Sequence, residues 1–201
     1  VMTIASDTYV TTDLPGASPD APALFLFHGT GGDEHQFVEL ASELRPGARR
    51  IGIRGDVSED GALRYFRRLA EGRYDMADLA RATAKVAAFV AAAAPAGRRL
   101  ALGYSNGANI IASVLFAAPA SFDAAVLMHP LIPFEPQPQP DLAGRRVLIT
   151  AGRHDPIVPA DNAQLLADYF TANGADARLV WHDGGHEIRR AELLAAQEFL
   201  Q

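Results

Sequence analysis

The fold is indicated by residues 100–111, L-A-L-G-Y-S-N-G-A-N-I-I, in which a Gly-x-Ser-x-Gly pattern separates two apolar runs. The first run is typical of a buried strand and the second, which continues as A-S-V-L-F, is typical of a buried helix. A serine on a tight strand-to-helix turn projects its hydroxyl above the sheet edge, provided that glycines leave room for the turn. The pattern therefore predicts that Ser105 is a nucleophile between Gly103 and Gly107. The alternative is a glycine-rich turn with a surface serine.

Further apolar runs extend this strand–helix arrangement along the chain. Strands are predicted at 23–27, 51–54, 100–104, 124–128, 147–151 and 177–181. Their alternation with helical patterns predicts an α/β fold with a mostly parallel central sheet and helices on both faces. We expect residues 1–201 to form a single domain, as the chain length suits one large α/β domain.

Three further helices are predicted, at about 76–94, 160–173 and 189–200. Asp75 is placed to cap the first, Asp161 is placed near the start of the second, and Gly174 ends the second. Two stretches are expected to be irregular, namely 55–74 and the proline-rich 133–141. The connector 129–146 is too short to hold a cap domain of several helices.

Composition excludes several classes of function. The chain has 24 acidic against 18 basic residues and no long basic run, which argues against a nucleic-acid groove or a membrane-binding patch. It has no cysteine, which removes thiol catalysis, thiolate zinc sites and disulfides. The start V-M-T-I-A-S-D-T-Y-V lacks a basic, apolar signal peptide, and no run of 18 apolar residues occurs, so we expect a cytoplasmic protein without membrane insertion.

Residues 28–34, H-G-T-G-G-D-E, form a glycine-rich loop after the first predicted strand. Glycines let backbone N–H groups approach a ligand closely. The loop lacks both the G-x-x-x-x-G-K-[ST] and the G-x-G-x-x-G patterns of nucleotide sites. It therefore predicts an oxyanion hole formed by the backbone N–H groups of Thr30 and Asn106, with a plain turn as the alternative.

A nucleophile of this kind is followed along the chain by an acid and then a histidine. The acid is predicted to be Asp155, which follows the strand V-L-I-T-A-G at its carboxyl end. Asp161 is a rival, but its position before a helical stripe suits an N-cap better. Asp183 is a weaker rival beside the expected histidine loop.

Two histidines compete for the third position in H-D-G-G-H-E, residues 182–187. His182 continues a strand, whereas His186 follows two glycines that allow the loop to fold back toward Ser105, and this favours His186. The four-residue spacing of His182 and His186 also suits zinc on a helix, but Asp-Gly-Gly between them argues against a helix, so no metal is predicted. The remaining histidines are interpreted as structural, although His129 ends a strand near the site.

The stretch 55–74 supplies candidate substrate-binding residues. Loops at the carboxyl ends of the strands form the walls of a site in an open α/β sheet. Tyr65 and Phe66, with Tyr74 nearby, are placed to line an aromatic rim beside several arginines. The alternative is that these aromatic side chains only pin the loop to the body of the protein.

Taken together, these segments resemble the α/β-hydrolase superfamily, and more narrowly its small carboxylesterase/phospholipase-type family, related to dienelactone hydrolase-like and acyl-protein thioesterase-like esterases. The resemblance spans residues 23–201 and rests on four motifs: H-G-T-G-G-D-E (28–34), G-Y-S-N-G (103–107), A-G-R-H-D-P-I-V-P (151–159) and D-G-G-H-E (183–187). Dienelactone hydrolases proper use a cysteine nucleophile, which this chain lacks, and the thioesterase turn commonly has Gln where Asn106 stands.

The resemblance implies a Ser105–His186–Asp155 triad with an oxyanion hole at Thr30 and Asn106. It also implies a small-molecule ester substrate, no cofactor, and a homodimer. We therefore expect a carboxylesterase that cleaves small to medium esters through an acyl-serine intermediate. A thioesterase or lysophospholipase, and a non-catalytic ligand-binding protein of the same fold, remain open alternatives.

Overall fold

The computed structural model describes residues 8–201. Residues 1–7, on which part of the search for a signal peptide rested, lie outside the described residues. The elements in chain order are β1 Thr11–Leu14, β2 Ala23–Phe27, α1 Val38–Leu44, β3 Arg49–Ile53, β4 Val57–Glu59, β5 Ala62–Arg64, β6 Arg68–Ala70, β7 Arg73–Tyr74, α2 Met76–Ala93, β8 Arg99–Tyr104, α3 Asn106–Ala117, β9 Ala124–Met128, β10 Arg146–Gly152, α4 Ala160–Ala172, β11 Asp176–His182 and α5 Arg190–Phe199.

Seven strands form the central sheet, in the order β1-β3-β2-β8-β9-β10-β11. β1 pairs antiparallel with β3, and the other neighbours are parallel. Helices α2, α3 and α4 cover one face, and α1 and α5 cover the other. This is the α/β-hydrolase fold, and it confirms the predicted mostly parallel sheet with helices on both faces.

The inner strands are largely apolar because both faces of the sheet are covered. In β2, Phe25 and Phe27 pack under α2 and α3, while Leu24 and Leu26 pack toward α1 and α5. Successive side chains of a strand point to opposite faces, so every residue of such a strand is buried. The run 23–27 therefore shows no polar alternation.

The predicted strands and helices lie within about two residues of those observed. Asp75 caps α2 as expected, accepting a hydrogen bond from the backbone N–H of Asp78 at 3.1 Å. Gly174 follows α4 with a φ of +83°, which suits glycine after a helix end. The N-cap prediction for Asp161 is wrong: α4 begins at Ala160 after Pro159, and Asp161 lies exposed in the first helical turn.

Two parts of the fold were not anticipated from the sequence. Helix α1 is only seven residues long, with Ala41 and Leu44 as its buried residues. The stretch 55–74, expected to be irregular, forms two short hairpins, β4–β5 and β6–β7. Residues of both hairpins, among them Arg64 and Arg68, line the same cavity as Ser105.

Between β9 and β10, within the described chain, there is a proline-rich connector with one short 3-10 turn at Pro140–Leu142 and no inserted helical cap. This agrees with the predicted absence of a cap domain. Across residues 8–201, no helix has both the length and the apolar character that a bilayer crossing requires.

Candidate active site

Ser105 occupies the turn between β8 and α3, as the Gly-x-Ser-x-Gly pattern predicts. Its φ of 53° and ψ of −116° lie outside the regions that side-chain-bearing residues prefer. A Cβ at Gly103 would come within 2.6 Å of the Gly107 backbone, and one at Gly107 would overlap the carbonyl oxygen of Phe27. Both glycines are therefore required for the tight packing of α3 against the sheet.

The three side chains predicted to act together form a continuous hydrogen-bonded chain. His186 Nε2 lies 3.0 Å from Ser105 Oγ, and His186 Nδ1 lies 2.7 Å from Asp155 Oδ2. Asp155 is almost fully buried, whereas His186 is partly exposed. The rivals are elsewhere: Asp183 is exposed beside Arg153, and Asp161 is exposed on α4.

Asp155 is held as a carboxylate by its hydrogen bonds. Its Oδ1 accepts from the backbone N–H groups of Ile157 at 2.8 Å and Val158 at 3.0 Å. Burial alone would raise the pKa of Asp155, but the Val158, His186, Ile157 and His129 hydrogen bonds together hold that pKa below its usual value. An ionised carboxylate here fixes the His186 ring in the tautomer that leaves Nε2 free to accept a proton from Ser105.

The tip of the His186 loop is fixed by the residue that precedes Ser105. The Tyr104 hydroxyl donates to the His186 carbonyl oxygen at 2.7 Å, and the two rings lie 5.3 Å apart. The nucleophile turn and the histidine loop are thereby tied to each other by a side chain of β8.

Thr30 and Asn106, predicted to supply the oxyanion hole, line the same cavity as Ser105. Asn106 is the first residue of α3, so its N–H has no partner within the helix, and the positive end of the helix dipole faces the site. The Thr30 hydroxyl accepts from Arg64 Nη1 at 2.7 Å, and the neighbouring Gly31 N–H donates to the Leu63 carbonyl oxygen at 3.0 Å. The glycine-rich loop is thus tied to strand β5.

The rim prediction for Tyr65 and Phe66 is corrected by their burial, because both are completely inaccessible. The Tyr65 hydroxyl donates to the Ile53 carbonyl at 2.7 Å and accepts from the His28 N–H at 2.9 Å. The Tyr65 N–H donates to Asn106 Oδ1 at 2.8 Å. Tyr65 therefore holds the glycine-rich loop and Asn106 from the side of the core, and Phe66 packs edge-on against Tyr74.

The cavity above Ser105 has a volume of about 260 Å³ and two chemically different walls. One is polar and comes from the hairpins, with Arg64, Arg68 and Glu71. The other is apolar, with Leu131, Ile157 and Val158. Tyr74 lies between them and donates its hydroxyl proton to the Leu131 carbonyl.

A buried polar cluster of His129, His182 and Glu192 lies behind Asp155. No role in the site was predicted for it from the sequence. His129 Nδ1 is 3.1 Å from Asp155 Oδ2, and its Nε2 is 2.9 Å from Glu192 Oε1. His182 Nε2 lies 3.0 Å from Glu192 Oε2. The one signal in the sequence was the position of His129 at a strand end near the site.

Two sets of side chains have donor atoms close enough to share a metal ion, and both include His129. One set adds Asp155 and His186, and the other adds His182 and Glu192. In both sets, however, the polar atoms already hydrogen-bond to one another. His182 Nδ1 also accepts the Gly184 N–H at 2.9 Å, whereas a metal-bound histidine normally donates from its second nitrogen.

The fold and the Ser105 turn define a hydrolase of the α/β-hydrolase superfamily. Residues 54–188 match the model of the dienelactone hydrolase family, and the chain belongs to that family. It is 41% identical over 181 residues to the putative hydrolase MhqD of Bacillus subtilis, covering 88% of this chain and 90% of that protein.

Two solved structures share almost the whole fold. A protein of unknown function from Agrobacterium tumefaciens, Atu2452, is 50% identical with a TM-score of 0.91, and the match covers 98% of each chain. A carboxylesterase from Bacillus cereus is 36% identical with a TM-score of 0.92, covering 96% of this chain and 93% of that one. The family, the hydrolase relative and the carboxylesterase neighbour support ester hydrolysis as the general activity.

Proposed function

We propose that this protein is a carboxylesterase that cleaves small to medium carboxylic esters through an acyl-serine intermediate. The observation that carries the proposal is the continuous hydrogen-bonded chain from Ser105 through His186 to the buried Asp155. Its position at the carboxyl ends of the parallel strands, beside a glycine-rich loop and a helix N-terminus, is the arrangement that acyl transfer requires.

In this mechanism His186 Nε2 takes the proton of Ser105 as Oγ attacks the ester carbonyl carbon. Asp155 holds the imidazole and stabilises the imidazolium that forms. The backbone N–H groups of Thr30 and Asn106 stabilise the negative oxygen of the tetrahedral intermediate. His186 then protonates the leaving alcohol, and water, activated by the same ring, releases the acid and restores Ser105.

The size of the cavity supports a short substrate. Its volume of about 260 Å³ lies just below the ~300–1,000 Å³ typical of small-molecule sites. The connector between β9 and β10, within the described residues, adds no helical cap that could enclose a long chain. The wall of Leu131, Ile157 and Val158 suits a short apolar or aromatic group, and the arginine-bearing wall suits a polar one.

A panel of p-nitrophenyl esters from acetyl to palmitoyl, run beside thioesters of the same acyl groups, tests both chemistry and size. We expect kcat/KM to be highest for short acyl groups and oxygen esters. A steady rise toward palmitate would contradict the size proposal, and a clear preference for thioesters would favour thioesterase activity instead.

Ser105→Ala tests the nucleophile in the same assay. Removal of one member of such a triad typically lowers the rate by several orders of magnitude. A fluorophosphonate probe should label the native protein once, at Ser105, and should not label the variant. Native-like turnover by folded Ser105→Ala would refute the mechanism, and labelling without turnover would favour a ligand-binding role.

The homodimer and the cytoplasmic location are also proposed, on the family resemblance and the sequence respectively. Light scattering at micromolar concentration tests the first, and a monomer would contradict it. Fractionation of the producing cell tests the second.

A further inference from the structure

A second carboxylate, Glu192, is completely buried behind Asp155. It extends from the first turn of α5 and accepts hydrogen bonds from the Thr150 hydroxyl at 2.5 Å and from the Arg189 N–H at 2.6 Å. These donors occupy both carboxylate oxygens, one on each. A proton on either carboxylate oxygen would compete with one of these donors, so the surroundings favour the ionised form of Glu192.

His182 is neutral in this arrangement, and its tautomer follows from a backbone contact. The Gly184 N–H donates to His182 Nδ1 at 2.9 Å, so Nδ1 carries a lone pair and the ring proton is on Nε2. His182 Nε2 lies 3.0 Å from Glu192 Oε2 and 3.3 Å from His129 Nε2, and the carboxylate is the nearer and the charged acceptor for that proton. His182 is thus a third donor to Glu192.

His129 lies between two carboxylates that both act as acceptors. Its Nδ1 is 3.1 Å from Asp155 Oδ2 and its Nε2 is 2.9 Å from Glu192 Oε1. A neutral imidazole has one donor nitrogen and would present a lone pair to one of the two anions. Only the doubly protonated ring satisfies both contacts.

We propose that His129 is a buried imidazolium, kept charged by Glu192, and that it is a positioning residue that keeps Asp155 ionised and oriented toward His186. This extends the proposed triad to five groups in a line, from Ser105 through His186, Asp155 and His129 to Glu192. The positioning role rests on the proposed esterase function, but the charge of the ring does not.

The surroundings of His129 agree with this charge. Burial alone would lower the pKa of His129, but the hydrogen bonds and charges of Glu192 and Asp155 raise it above its ordinary value. Burial alone would likewise raise the pKa of Glu192, but hydrogen bonds from His129, Thr150 and Arg189 lower it. The titratable groups that face His129 from the surrounding elements are Tyr104, Asp155, His182, His186 and Glu192.

The charge can be read directly from the ring nitrogens by ¹⁵N NMR of histidine-labelled protein, which separates doubly protonated rings from neutral tautomers. At about pH 8.5, two units above the ordinary histidine pKa of about 6.5, exposed rings are neutral. We expect one of the six histidines to remain doubly protonated there. The signal should vanish in His129→Gln and also in Glu192→Gln, which retains the ring but removes its anion.

Six neutral rings at that pH would overturn the proposal. Stoichiometric zinc in the protein as purified would also overturn it, because a metal ion at these nitrogens would replace the protons. Ring protonation is measured without turnover, so the NMR result decides on the charge even if the protein proves to hydrolyse no ester.

The positioning role predicts a pH effect that a structural role alone would not cause. The His129 ring lies 5.2 Å from the His186 ring, so loss of its positive charge makes His186 easier to protonate. We expect kcat/KM near pH 7 to fall about tenfold or more in His129→Gln and Glu192→Gln, as a charge-assisted hydrogen bond is lost. The acidic limb of the profile should move to higher pH in both.

His182→Gln is the matched control. It removes a second buried imidazole from the same cluster, but a neutral one whose Nε2 lies 3.0 Å from the far oxygen of Glu192 and 3.3 Å from His129 Nε2, and which does not contact Asp155. The acidic limb of the kcat/KM profile of His182→Gln should lie at the same pH as that of the native protein. An unmoved limb in both His129→Gln and Glu192→Gln would overturn the positioning role, as would an equal shift in His182→Gln.

Discussion

The folded protein should be more stable with glycine than with alanine at position 105, because the backbone at this position suits a residue without a Cβ. Its φ of 53° and ψ of −116° correspond to the first central position of a type II′ turn, which glycine favours. Both substitutions remove the hydroxyl and its hydrogen bond to His186, so their difference isolates the backbone. Alanine keeps the strain of the native residue, and glycine relieves it.

The magnitude follows from two opposing effects. Strained backbone positions of this kind cost about 1–3 kcal/mol. Glycine gives back about 0.4–1 kcal/mol through the greater freedom of the unfolded chain. We therefore expect the free energy of unfolding of Ser105→Gly to exceed that of Ser105→Ala by about 1 kcal/mol. For a chain of this size this corresponds to a Tm about 2–4 °C higher.

Thermal and urea unfolding of the two variants, both of which we expect to be inactive, measure this difference. Ser113 provides the control, because it lies inside helix α3 with ordinary helical backbone. Ser113→Gly should therefore be less stable than Ser113→Ala by about 1 kcal/mol. The reasoning would be refuted if glycine were no more stable than alanine at position 105.

Three further expectations concern the acid, metals and pH. Asp155→Asn should lower kcat by about four orders of magnitude through the wrong histidine tautomer, whereas Asp161→Asn on the surface of α4 should be mild; the reverse order would mean that the wrong acid was chosen. A chelator should leave activity unchanged, and loss of activity restored by zinc would contradict this. Burial alone would lower the pKa of His129, but Glu192 and Asp155 raise it above its ordinary value. The ion pairs of His129 should therefore stabilise the folded protein fully below about pH 6.5, and this stabilisation should be lost as the pH rises through the raised pKa. The Tm gap between the native protein and His129→Gln should therefore narrow on going from about pH 6.5 to 9.

Those parts of the site that depend on local sequence could be predicted. Ser105 stands in a pattern that encodes its own turn, because Gly103 and Gly107 permit the close packing of the helix on the strand. Asp155 and His186 lie three and four residues after the ends of β10 and β11, and the carboxyl ends of parallel strands meet at one edge of the sheet. In these cases secondary structure alone brings the side chains together.

The misses occur where a long-range contact decides the outcome. Tyr65 lies in the short link between the two hairpins, where the sequence pattern does not distinguish a residue of the cavity from one of the core. Its hydroxyl is held inside the protein by a hydrogen bond to the Ile53 carbonyl on β3. Glu192 reads in the sequence as an ordinary acid in the first turn of a helix. Only the packing of α5 against β10 and β11 places it against His129, and no local sequence pattern indicates that contact.

The hairpins that form the polar cavity wall also hold the oxyanion loop. Leu63, Arg64 and Tyr65 each hydrogen-bond to the glycine-rich loop or to Asn106. If the proposed oxyanion hole and cavity wall act as described, a change in one should alter the other, so substrate range and turnover rate are expected to be coupled. Exchanging residues 55–74 for those of a relative, in order to change selectivity, would transplant part of the catalytic apparatus as well. Engineering that alters only the opposite wall, at Ile157 and Val158, leaves these hydrogen bonds in place and is the safer route to a new specificity.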